Sequence, residues 1–150
     1  KIYHTLSVIV IILFAITTTV NPFKKRLINN SIHFIAKNKT PHMLVLVCPF
    51  DYITTFAYSY NRSYFKNINQ DSEYASLDNQ LKSEHIYFVN DIGFAADKVL
   101  HQFDTIIYLD AGADFAMPNN NIKKVLSTHF TELDNRYRDN FFKIYTFKKH

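Results

Sequence analysis

Glycine is nearly absent: Gly93 and Gly112 are the only two in 150 residues. Neither a G-x-G-x-x-G turn nor a Walker loop can be assembled from them, which argues against NAD, ATP and S-adenosylmethionine as ligands cradled by backbone amides. The chain also lacks a Gly-x-Ser-x-Gly elbow that would expose a serine nucleophile. Cysteine occurs once, at Cys48. That excludes an internal disulfide and a multi-cysteine zinc site. Because Cys48 ends an apolar run and precedes Pro49, it reads as a buried, inert thiol. None of the seven histidines lies four residues from another, so they read as satisfied or solvated side chains, and no metal or cofactor is expected. Tryptophan is missing altogether. Basic residues exceed acidic ones, 17 to 13, yet they form no stripe, so the net charge of +4 does not point to nucleic acid. Lys24-Lys25-Arg26 instead follow a hydrophobic segment, where they can meet lipid headgroups.

What the chain does have is apolar residues, 47% of the total, concentrated in runs. No charge occurs from Thr5 to Phe23, and Leu6 to Ile16 is almost purely aliphatic. About 20 such residues at roughly 1.5 Å each cross a bilayer's hydrocarbon core. Residues 1–22 are therefore expected to form a transmembrane helix, and 23–150 a soluble α/β domain. A secretion signal fits less well, since no small-x-small cleavage site follows. Lys1 begins almost inside the span, so the helix reads as the last span of a longer chain.

Within the soluble part, Met43 to Cys48 and Thr105 to Leu109 are uninterrupted apolar runs of strand length, as expected of strands buried on both faces. Ile86 to Val89 reads as a third strand. Helical spacing joins Leu27, Ser31, Phe34 and Ile35, then Ile53, Phe56, Ala57 and Tyr60, then Tyr74, Leu77 and Leu81 behind a Ser72 cap. It recurs over Ile92 to Leu100 and over Ile122 to Phe130. Tyr137 and Phe141 to Phe147 read as two strands around a turn at Arg138-Asp139-Asn140. This alternation predicts a three-layer, Rossmann-like α/β domain with a mostly parallel sheet and an antiparallel hairpin at its carboxyl end.

Ligands of open α/β sheets bind at the carboxyl edge of the strands. Asp51, Asp110 and Asp114 fall at that edge, where carboxylates could bind a cation or accept hydrogen bonds from sugar hydroxyls. The alternative is that Asp51 caps a helix while Asp110 and Asp114 shape a turn. Tyr60 and Arg62 belong to an aromatic-rich stretch, Tyr58 to Phe65, suited either to stacking on a sugar or phosphate or to ordinary packing beside a solvated arginine.

Several phrases taken together resemble the carboxyl end of bacterial polytopic glycosyltransferases of family 39, the protein mannosyltransferase and aminoarabinose transferase group. They are Asn21-Pro22-Phe23-Lys24, Ile32 to Lys39, Phe56 to Phe65, Ile106 to Gly112 and Ile144-Tyr145-Thr146-Phe147. The resemblance implies a non-catalytic cap following the last membrane span of an enzyme that uses a polyprenyl-phosphate sugar. Its implied partners are membrane lipid, that sugar donor and the membrane part of the same enzyme, with the cap outside the cytoplasm at the bacterial inner membrane. The resemblance carries over no catalytic residue, because the family's acidic residue lies in an earlier loop. Lys24-Lys25-Arg26, read alone, would put the cap on the cytoplasmic side. The alternative is a single-span anchored module that binds a sugar or an anionic ligand.

Overall fold

Met43–Cys48 and Thr105–Ala111 lie side by side and parallel, with Met43 opposite Thr105 and Cys48 opposite Asp110. They are β1 and β3 of the structure, a computed structural model that describes residues 28–66, 73–137 and 141–150. In chain order the elements are α1 (Ile28–Asn38), β1, α2 (Ile53–Tyr60), α3 (Glu73–Ser83), β2 (Ile86–Phe88), α4 (Phe94–Leu100), β3, α5 (Ala113–Ala116), α6 (Ile122–His129), β4 (Phe130–Tyr137) and β5 (Phe142–Lys149). The strands form one sheet in the order β2-β1-β3-β5-β4.

Strand side chains alternate between the two faces. Val45, Val47, Ile107, Leu109, Phe142 and Ile144 pack with Ile32 and Ile35 of α1, Phe56 of α2 and Leu77 of α3. Leu44, Leu46, Ile106, Tyr108, Tyr145 and Phe147 pack on the other face with Leu100 of α4 and Ile122 and Leu126 of α6. Both faces are covered, which is why the inner strands read as unbroken apolar runs.

Two expectations about the architecture need correction. The sheet is not mostly parallel: β1 pairs parallel with β2 and β3, but β3–β5 and β5–β4 are antiparallel. The cause is β5, whose Phe142, Ile144, Tyr145 and Phe147 are buried from both faces and suit an interior position beside β3. The edge falls to β4, which begins at Phe130, a residue helical spacing had assigned to the preceding helix. The second correction concerns the transmembrane helix. Among the described residues no helix is long and apolar enough to cross a membrane; the longest, α1 and α3, have 11 residues each. The segment expected to span, residues 1–22, lies outside the described residues, as do Lys24-Lys25-Arg26, Ser72 and the turn at 138–140.

Candidate functional site

The sheet separates the predicted site residues. Asp110 follows Ile106 and Tyr108 in alternation, so its carboxylate faces the α4 and α6 side, where it is 1% exposed. Asp110 Oδ1 accepts the Ala113 N–H at 2.6 Å, closing the turn that starts α5. Its Oδ2 is buried with no hydrogen-bond partner among the described residues. Burial raises the Asp110 pKa above the usual carboxylate range; Asp114 adds to the shift, and the Ala113 N–H, Lys123 and Lys143 oppose it. Between Asp110 and Asp114, Gly112 has φ +83, and a Cβ there would strike the Phe141 ring, so the turn requires glycine.

Asp114 is exposed and pairs with Lys143 Nζ at 2.7 Å. That hydrogen bond is the main reason its pKa lies below the usual range. Lys143 stands opposite Asp110 in the β3–β5 ladder, which brings it to this corner. Lys123 on α6 donates to the Tyr145 hydroxyl at 2.7 Å and lies 4.3 Å from that ring's centre. Cys48 is fully buried beneath this corner; burial and then Asp110 push its thiol up to about 12, so it is no nucleophile.

Asp51 lies elsewhere. It sits in a 3-10 turn, Phe50–Tyr52, between β1 and α2, and makes no side-chain cap there, so its expected capping role is not seen. It is exposed and lines a pocket of about 320 Å³ together with Ile28, Tyr52, Thr55 and Phe142. Phe142 belongs to the α1–α3 face, so this pocket opens on the opposite side of the sheet from the Asp110 carboxylate. Tyr52 meets Phe142 edge to face at 5.8 Å, giving the pocket an aromatic wall, and the Phe141 ring lies 6.2 Å from that of Tyr52.

Tyr60 and Arg62 do not join either group. The Tyr60 hydroxyl donates to Glu84 Oε2 at 2.8 Å, the Tyr64 hydroxyl donates to Glu84 Oε1, and the Tyr60 ring stacks on Phe56. Arg62 is exposed and lies 4.6 Å from the centre of the Tyr58 ring. Both side chains thus make contacts within the chain. No known family, curated protein or solved structure matches the chain. The pocket chemistry is thus the guide to function. Tyr52 and Thr55 belong to that chemistry, and their one signal in the sequence is position, next to Asp51 in the first turns after a buried strand. Phe142 gave none, because it is 91 residues away and arrives through the β3–β5 pairing.

Proposed function

We propose that this chain is a non-catalytic α/β domain of a glycosyltransferase that uses a polyprenyl-phosphate sugar, and that it holds carbohydrate in the pocket at Asp51. The pocket carries the reading. At about 320 Å³ it falls at the lower end of ligand-pocket sizes. It combines aromatic rings, which stack on the apolar face of a sugar, with one carboxylate and the hydroxyls of Tyr52 and Thr55, which exchange hydrogen bonds with sugar hydroxyls. Asp110 is a poorer candidate, being shielded from solvent. The likeness to the family 39 carboxyl end supports the transferase setting. It supports as partners the catalytic region of that enzyme, its lipid-linked donor and the lipid around it, on the extracytoplasmic side of the bacterial inner membrane.

The test is titration of the full chain with free hexoses and with a short-chain polyprenyl-phosphate sugar, followed by calorimetry and saturation-transfer NMR. Saturable binding is expected, lost in Asp51→Ala and Thr55→Val while their melting temperatures stay close to that of the parent. Unchanged binding in both variants would remove the pocket from the reading. Sugar transfer by the purified chain alone would overturn its non-catalytic role.

A further inference from the structure

At the opposite end of the sheet, two helices finish side by side. α4 runs back toward the amino edge of β3 and ends at His101, which caps it. α6 ends at His129 and passes straight into β4, whose Phe130 pairs with Lys149; Lys148 in turn pairs with Thr105 at the amino end of β3. The topology thereby brings His129 to His101, with ring centres 4.7 Å apart and planes at 75°. Asp97 lies one helical turn before His101, on the same face, with Oδ2 3.7 Å from His101 Nε2.

We propose that Asp97, His101 and His129 form a binding site for a borderline divalent transition ion, Zn²⁺ above all. One donor atom from each residue lies within 4.8 Å of the others. Tetrahedral zinc with bonds of about 2.0–2.1 Å needs donors about 3.3 Å apart. His101 is exposed and Asp97 and His129 are half-buried, so their side chains are free to close that gap. Two imidazoles and one carboxylate select zinc and its neighbours over magnesium or calcium, which favour all-oxygen shells. The carbonyl ends of α4 and α6 add negative potential, against which stands Lys149, whose Nζ donates to the His101 carbonyl at 3.0 Å. The nearby His150 ring already contacts the Thr131 hydroxyl at 3.0 Å, leaving three protein ligands among the described residues. The ion would tie the end of α4 to the end of α6.

The experiment uses the full chain, stripped with chelator, with Co²⁺ titration followed by visible d–d absorption and Zn²⁺ addition followed by thermal melting. One equivalent of Co²⁺ should bind with a tetrahedral spectrum. Zn²⁺ at about 100 times its Kd should raise the melting temperature by roughly 5–10 °C, and Mg²⁺ should not. Asp97→Asn, His101→Ala and His129→Ala should each weaken binding at least tenfold, whereas His33→Ala and His42→Ala should leave it unchanged. Asp97→Asn keeps both rings and the side chain's shape, so it stays informative if loss of the ring contact weakens the fold. No stoichiometric binding at submillimolar metal, or undiminished binding in the three variants, would overturn the proposal and leave the two rings as simple packing.

Discussion

The two oxygens of Asp110 have opposite fates: one closes a turn on the Ala113 N–H, and the other is buried without a partner among the described residues. A buried charge short of partners is a cost unless it takes up a proton. Burial raises the folded-state pKa of Asp110 above its unfolded value, so its contribution favours folding at acid pH and is lost as pH rises through the folded value. Asp114 runs the other way, because Lys143 lowers its pKa. What it adds is present above the unfolded value and lost as pH falls. That pair, with side chains 54% and 23% exposed, contributes at most about 1 kcal/mol. Asp110→Asn keeps an acceptor for the Ala113 N–H and removes the charge, so it should raise the melting temperature at pH 7, and the gain should vanish toward pH 4. Asp110→Ala strips the turn of its acceptor and should lower stability by about 1–3 kcal/mol. Melts of both variants across that pH range check the sign. An Asn variant less stable than the parent at pH 7 would mean that Lys123 and Lys143 outweigh the burial.

Between elements, the clearest clamp is Glu84, just past α3, which receives the hydroxyls of Tyr60 at the end of α2 and of Tyr64 in the turn after it. Hydrogen bonds to a charged acceptor are among the stronger kind. Glu84→Gln should therefore cost about 1–3 kcal/mol in urea unfolding. Burial and the Glu84 carboxylate both hold the two phenols above the ordinary tyrosine range, so the substitution should also move part of the phenol absorbance titration to lower pH. Both readouts staying at parent values would show the clamp to be idle. The same scale explains what was legible in the chain. β1 and β3 were, because burial on both faces leaves Met43 to Cys48 and Ile106 to Leu109 without polar interruption. β4 was not: Thr-Glu-Leu-Asp-Asn-Arg is polar, as an exposed edge tolerates, and the ladder slips between Glu132 and Asp134. The carboxyl edge was legible as a place, since Asp51 comes just after β1 and Asp110 directly after the apolar run of β3. Its division into two faces was not, because that depends on Phe142 and Lys143 arriving from a strand some thirty residues beyond β3. The meeting of His101 with His129 was likewise hidden, as the four-residue spacing there joins a histidine to an aspartate, and the second histidine comes from another helix.

For the whole molecule, the decisive feature is that β5 lies inside the sheet and not at its rim. It supplies Phe142 and Ile144 to one core and Tyr145 and Phe147 to the other, so the two hydrophobic layers share it. Losing a large buried side chain costs about 2–5 kcal/mol, and four together reach roughly 8–20 kcal/mol. A domain's entire stability is about 5–15 kcal/mol. Removal would also leave β4 without its partner and expose one edge of β3. A chain ending at Phe141 should consequently show no cooperative thermal transition. One ending at Phe147, which loses only the exposed Lys148, Lys149 and His150, should still melt cooperatively, at a somewhat lower temperature. Circular dichroism and amide exchange on the two truncations separate the cases. Should the shorter chain melt like the intact one, the cores would have to close over β1, β2 and β3 alone, and the sheet order would not be what holds the molecule together.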